Sequence, residues 1–169
     1  ESGAPGAPTA TTVPCLYVPG NHESYGTDNL NAWKAVFGDP YRTFDHKGVR
    51  FILLNSTRGT FRGSDFAQLP MLQEALDDAA DDDAVKRVVV FAHHPANDPD
   101  PADASQLGDR KEVQLIEQLL SGSAKPALMV GSHAQIVNVD RIEGVPYMVL
   151  PSSGKSPYGT PDRGGFTGW

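Results

Sequence analysis

The sequence predicts an α/β fold built around a mixed β-sheet. Two continuous apolar runs, at 88–91 and 127–130, are typical of buried strands, and a segment with helical spacing separates them. Two pairs of strand-like segments joined by short turns lie on either side of these runs, and each pair predicts an antiparallel hairpin. Because hairpins accompany the alternation of strands and helices, a mixed sheet is favoured over a purely parallel one.

The amino-terminal part is predicted to be a linker followed by a strand and a helix. Residues 1–13 are small, polar and proline-rich without periodicity, which indicates a flexible linker or loop. A short apolar strand is predicted at 15–18. Apolar residues at helical spacing then indicate a helix that Asp28 caps at its start and Gly38 at its end.

The central part is predicted to contain a hairpin, a loop and a helix. The strand-like segments 41–45 and 49–55 flank a turn of hairpin length, and the glycine-containing segment 56–65 is expected to be a loop. The next helix is predicted to begin at Gln68 rather than earlier, because Pro70 is tolerated only in the first turn of a helix.

The second half of the chain is predicted to add a helix, a second hairpin and a tail. Asp109 is expected to cap the helix between the two buried strands, and Gly122 to end it. The segments 136–142 and 145–150 predict the second hairpin. Residues 151–169 are rich in glycine, proline and serine and form the predicted tail.

Composition excludes several classes of protein. The formal charge of −7 argues against a general nucleic-acid binder, whose contact surface is basic. Cys15 is the one cysteine, which excludes an intrachain disulfide framework and a cysteine-cluster zinc site. No apolar run approaches the roughly 18 residues of a transmembrane helix, so no membrane span is predicted.

Histidines are concentrated where predicted strands end. Four of the five lie in the segments 19–23, 91–95 and 130–135, each of which follows a strand-like segment. The ends of strands hold side chains rigidly while the adjoining turns leave them open, and α/β proteins place ligand sites there. Imidazole nitrogen and amide oxygen both bind metal ions. The pattern therefore predicts a metal site that draws on three separate strand ends.

The same segments resemble the calcineurin-like metallophosphoesterases, a superfamily that includes the purple acid phosphatases. The resemblance rests on Gly20-Asn21-His22-Glu23, on a strand leading into His93-x-Pro95, and on a strand leading into the turn at 131–133. It covers residues 14–150. It implies an α/β fold of the mixed-sheet α/β/β/α sandwich type, with a dinuclear metal site of manganese, iron or zinc between the two sheets.

The resemblance also implies roles for individual residues. Asn21 matches an asparagine ligand of the second metal, and His93 matches the histidine ligand of the His-x-Pro motif. His22 matches a histidine that binds no metal, contacts phosphate and assists the leaving group as the catalytic residue. His94 is then a neighbour of the ligands, and Glu23 is expected to support its loop by hydrogen bonding.

The last motif allows two alignments with the Gly-His-x-His pattern of the family. In the first, His133 takes the place of the first histidine and Gln135 stands where the second would be. In the other, Ser132 occupies the histidine position and both ligands are lost. We prefer the first because it keeps a ligand for the second metal, although an amide is a weaker ligand than an imidazole.

The sequence departs from the family by an absence. Family members begin with Asp-x-His and Gly-Asp-x-x-Asp motifs, and residues 1–19 contain neither aspartate nor histidine. We therefore expect the carboxy-terminal part of a metallophosphoesterase domain, lacking its first strands. Because the remaining ligands are all neutral, the 169 residues alone are expected to bind metal weakly or not at all.

The resemblance implies an intact parent protein that hydrolyses phosphate mono- or diesters, with a metal-bound hydroxide attacking phosphorus. The alternative is a degenerate, non-catalytic module with this fold that serves a binding or structural role. The absence of the first strands predicts exposed apolar sheet surface, so we expect self-association or association with a separate amino-terminal segment. The resemblance favours an extracytoplasmic or secreted location.

Overall fold

The computed structural model of the chain describes residues 15–25, 30–98, 105–154, 159–165 and 167. The predicted linker and the predicted helix cap at Asp28 lie outside these residues. None of the helices in the described part is long and apolar enough to cross a membrane.

The described strands form one six-stranded mixed sheet in the order β1-β2-β3-β4-β6-β5. The strands are β1 (Arg42–His46), β2 (Val49–Leu53), β3 (Arg87–Phe91), β4 (Ala127–Gly131), β5 (Asn138–Ile142) and β6 (Val145–Val149). Neighbouring strands among β2, β3, β4 and β6 are parallel, while β1 and β5 pair antiparallel at the two edges. The predicted α/β fold with a mixed sheet and two hairpins is confirmed.

Four α-helices accompany the sheet in the described part of the chain. They are α1 (Asn31–Phe37), α2 (Phe61–Ser64), α3 (Gln68–Asp81) and α4 (Arg110–Ser121). Helix α3 begins at Gln68, with Pro70 in its first turn, as predicted. The Asp109 carboxylate accepts hydrogen bonds from the backbone N–H groups of Lys111 and Glu112, which confirms the predicted cap of α4.

The main core lies between one face of the sheet and helices α3 and α4. Strand side chains on this face alternate with those of the other face, as the pleat requires. The buried members of this core include Ile52, Val88, Val90, Met129 and Tyr147 from the strands and Leu72, Ile116 and Leu120 from the helices. Each large apolar side chain buried in this way contributes about 1.5–3 kcal/mol. The core therefore fixes the strands whose ends carry the candidate site.

The opposite face of the sheet is apolar and only partly buried. Its central positions are Phe51, Val89, Phe91 and Leu128, all half-buried although they lie on interior strands. The rings of Phe51 and Phe91 stack with centroids 6.4 Å apart. Parallel strands are normally covered on both faces. We call this surface the open face of the sheet, and the described helices α3 and α4 lie on its other side.

Two predictions of local structure are wrong. Residues 15–18 form no strand, because no described strand pairs with them, and Leu16 is 47% exposed. The predicted loop at 56–65 contains the short helix α2. Helix α2 is stabilised from a distance, since the buried Glu112 carboxylate accepts hydrogen bonds from the backbone N–H groups of Phe61 and Arg62, both at 2.8 Å. Gly38 caps the end of helix α1, as predicted.

Candidate metal centre

Three chain segments meet at the carboxyl ends of β3 and β4. These strands are parallel neighbours, with Phe91 opposite Val130, so the residues that follow them emerge at the same edge of the sheet. His93 Nε2 lies 2.9 Å from His133 Nδ1 and 3.0 Å from Asn21 Oδ1. One nitrogen atom is therefore the meeting point of all three segments that carry the predicted ligands.

His94 joins the same cluster. A side-chain nitrogen from each of His93, His94 and His133 lies within 4.8 Å of the others, which is close enough for one metal ion. Among the described residues, these three form the one group of histidine, cysteine or acidic side chains whose ligand atoms lie close enough together to hold a metal ion. The buried Ser56 hydroxyl lies 3.1 Å from His94 Nδ1 and accepts a hydrogen bond from the His94 backbone N–H at 3.0 Å. His94 is thus held rigidly beside the two other rings.

The electrostatics of the cluster favour neutral imidazoles. Burial, followed by repulsion from His133, lowers the pKa of His94 from 6.5 to about 4. Burial lowers the pKa of His93 to about 4 as well, and the neighbouring His133, His94 and His22 add to the effect. Metal ions bind the neutral form of histidine, because the ring nitrogen must offer a lone pair. The rings of His93 and His94 are therefore in the form that binds metal at neutral pH.

The turn after β4 has an unusual backbone. His133 and Gln135 have φ angles of 53° and 56°, in the left-handed region that non-glycine residues rarely adopt. The Ser132 N–H donates to the His93 carbonyl at 2.9 Å and ties this turn to the end of β3. Strained residues of this kind cluster at functional sites, where the surrounding structure holds them in place.

Two glycines permit the close approach of these segments. A Cβ on Gly131 would lie 2.6 Å from Pro95 Cα, and a Cβ on Gly20 would lie 3.0 Å from His93 Cε1. Real Cβ atoms essentially never show contacts under 3.0 Å. Gly131 must therefore lack a side chain if β4 is to approach Pro95, and a side chain at Gly20 would press tightly on the His93 ring.

The turn that presents Asn21 is held by its own hydrogen bonds. Residues Asn21–Ser24 form a 3₁₀ turn, and the Glu23 carboxylate accepts a hydrogen bond from the Gly20 N–H at 2.6 Å. The supporting hydrogen bond predicted for Glu23 is present. The Ser24 hydroxyl lies 3.0 Å from the carbonyl oxygen of Thr57 and so attaches the turn to the loop after β2.

The cluster opens into a cleft of about 720 Å³. Predicted site residues on its wall are Asn21, His22, His93, His133 and Gln135, and Tyr25 and four serines (Ser105, Ser132, Ser152 and Ser153) also line it. The structure therefore brings the predicted ligands and the predicted catalytic histidine to one cleft. Sequence reasoning missed Tyr25 and treated His94 only as a neighbour; the adjacency of His94 to His93 was the available signal.

The mixed α/β sheet matches the fold of a metallophosphoesterase-type phosphatase structure. The structure is similar to a dimetal phosphatase from Danio rerio, with a TM-score of 0.60 and 15% identity over 80% of this chain and 60% of that chain. It is also similar to GAP50, the anchor in the inner membrane complex of Plasmodium, with a TM-score of 0.50 and 13% identity over 76% of this chain and 40% of that chain.

These similarities concern the fold. The chain spans about 60% of the dimetal phosphatase and about 40% of GAP50. No protein-family model matches the sequence, and no curated protein matches it significantly. The predicted resemblance to metallophosphoesterases is thus confirmed at the level of architecture.

The donor set fits one metal ion. Imidazole nitrogen suits zinc and iron, and an amide oxygen such as that of Asn21 is a harder donor of the kind that suits manganese. The described cluster consists of histidines, so its donors are neutral and supply no carboxylate to bridge a second ion.

Proposed function

We propose that this chain carries one metal-binding half of a phosphoesterase site, and that the protein hydrolyses phosphate esters. The observation that carries the proposal is the convergence on His93 Nε2 of His133 Nδ1 at 2.9 Å and Asn21 Oδ1 at 3.0 Å. These atoms come from three separate segments, and the neutral His93 ring has a lone pair to offer. The contact between His93 and His133 also supports the alignment that makes His133 a ligand.

The proposed ligands are Asn21, His93 and His133, with His94 as a further nitrogen and Gln135 as a weak amide ligand. When bound, a manganese, iron or zinc ion supplies an activated water and positive charge for the phosphoryl oxygens. His22 is exposed on the wall of the cleft. From there it donates a proton to the leaving oxygen of the ester. Glu23 holds the turn on which Asn21 and His22 lie.

The proposal is tested with an aryl phosphate monoester and a diaryl phosphodiester, each supplied with manganese, iron or zinc. The protein used is the longest natural form that contains this chain. His93→Ala should abolish both metal binding and turnover. The control is His46→Ala, which removes an exposed histidine on β1 and should change neither. His22→Ala should lower turnover much more than metal content. Equal losses of turnover and metal in His22→Ala would contradict the role given to His22.

The second candidate is a non-catalytic binding or structural module with the same fold. The neutral character of the described cluster favours it, because the charge of a bound cation stays uncompensated there. The two candidates differ in one result. The module predicts metal binding without hydrolysis of either ester, even in the longest natural form, while the enzyme predicts metal-dependent turnover that is lost in His93→Ala.

A further inference from the structure

The side-chain amide of Asn21 has a second contact besides His93. Its Nδ2 donates a hydrogen bond to the Tyr25 hydroxyl at 2.9 Å, while its Oδ1 lies 3.0 Å from His93 Nε2. The backbone of this turn is already fixed by the Glu23 and Ser24 contacts. The Asn21 amide group can still rotate about its last side-chain bond, and the hydrogen bond from Nδ2 to Tyr25 restricts that rotation.

An asparagine amide can bind a cation only through its oxygen. When Oδ1 faces the ion, Nδ2 carries two hydrogens and needs an acceptor. A tyrosine hydroxyl can accept that hydrogen bond and direct its own hydrogen elsewhere. With the amide reversed, Nδ2 would face the cation, which is repulsive. Because a tyrosine hydroxyl can also donate, it is the cation that disfavours the reversed amide, and Tyr25 stabilises the productive orientation by accepting the hydrogen bond from Nδ2.

We propose that Tyr25 is a positioning residue that fixes the Asn21 amide with its oxygen toward the metal position. This inference rests on the proposed metal-binding role of Asn21, and it adds a residue that the sequence motifs did not indicate. Residues that orient metal ligands in this way typically change metal affinity 10–100-fold when they are substituted. Because the Tyr25 side chain is 72% exposed, we expect an effect of about tenfold, at the low end of that range.

Tyr25 also contacts His22, and the two contacts can be separated. The rings of Tyr25 and His22 lie with centroids 4.9 Å apart. Tyr25→Phe removes the hydroxyl and keeps the ring, so it should weaken metal binding without moving His22. Tyr25→Ala removes both and should also lower turnover at saturating metal. Tyr17→Phe is the matched control, since it deletes an exposed tyrosine hydroxyl on the neighbouring segment.

The test is a titration of each variant with zinc alone, in which calorimetry measures the Kd. We expect the Kd of Tyr25→Phe to rise about tenfold, with Tyr17→Phe unchanged and the Tm of both unchanged. The Asn21→Asp background provides a sharper readout, because its two oxygens are equivalent and need no orientation. There, adding Tyr25→Phe should change the Kd by less than about threefold. A purely structural role for Tyr25 predicts the same change in both backgrounds.

Failure of this inference differs from failure of the proposed function. If the parent sequence binds zinc and Tyr25→Phe binds it equally well, the role of Tyr25 is overturned and the metal site stands. If the longest natural form that contains this chain binds no zinc, the proposed function is overturned together with the role of Tyr25 toward the metal. In both cases, the side-chain ¹⁵N resonance of Asn21 in the metal-free protein reports whether Tyr25→Phe breaks the hydrogen bond.

Discussion

The close contact between Gly131 and Pro95 yields a quantitative prediction for Gly131→Ala. The added Cβ would lie 2.6 Å from Pro95 Cα and 2.9 Å from Pro95 Cβ, whereas ordinary contacts begin at 3.4 Å. The backbone must therefore separate by up to about 0.8 Å. The contacted atoms belong to the backbone and ring of Pro95, so they cannot rotate away as the end of a flexible side chain would.

This separation acts at two levels. Overpacking of this kind costs about 1–3 kcal/mol of stability. Pro95 follows His93 by two residues and Gly131 precedes His133 by two, so the change also pulls apart the two rings whose nitrogens are 2.9 Å apart. Misplacement by about 1 Å can cost about 100-fold in catalysis, and we expect at least a tenfold loss of metal affinity.

Urea denaturation and zinc titration measure the two effects. Gly154→Ala is the matched control, because its Cβ would meet no heavy atom within 4 Å and its φ is not positive. It should leave both quantities unchanged. If Gly131→Ala retains the stability and the zinc affinity of the parent sequence, the argument that this close approach assembles the site is refuted.

Three further predictions concern stability and association. The lowered pKa values of His93 and His94 mean that the unfolded chain binds protons first as the pH falls, so the metal-free protein should keep full stability above pH 6.5 and lose it toward pH 4. Solvent screening limits the loss in free energy of unfolding between pH 7 and 5 to about 2 kcal/mol, as measured by denaturant titration. A free energy of unfolding that does not change over this pH range would contradict the prediction. Glu112→Leu should destabilise the fold by about 2–4 kcal/mol in urea, more than Glu112→Gln, because two backbone donors lose their acceptor; equal losses would refute this. The open face should cause concentration-dependent self-association in light scattering that Val89→Lys reduces, and a monomer at all concentrations would argue against an exposed apolar face.

Much of the sheet was predictable because its signals are local. The hairpin strands β1 and β2 are separated by a two-residue turn in which Lys47 and Gly48 have positive φ, and short turns of this kind are visible in sequence. Helix α2 was hard to predict, because beyond the local Thr60 cap it depends on hydrogen bonds from Phe61 and Arg62 to Glu112, about 50 residues away. The predicted strand at 15–18 failed for a related reason: an apolar run becomes a strand only where a partner strand pairs with it.

The candidate site was predictable in its outline and not in its details. The order and spacing of the motifs indicated Asn21, His93 and His133, since strand ends gather their residues at one edge of a sheet. The part taken by His94 depends on how the chain turns after β3 and on the Ser56 contact. The contact of Tyr25 with Asn21 depends on a 3₁₀ turn whose geometry the motif does not reveal.

Zinc titration of the chain and of its His93→Ala and His46→Ala variants tests the central claim most directly. We predict one weak site per chain that His93→Ala abolishes and His46→Ala preserves, because His93 Nε2 is where the three segments meet. Binding that survives His93→Ala, or absence of zinc binding by the longest natural form that contains this chain, would contradict the proposed metal centre.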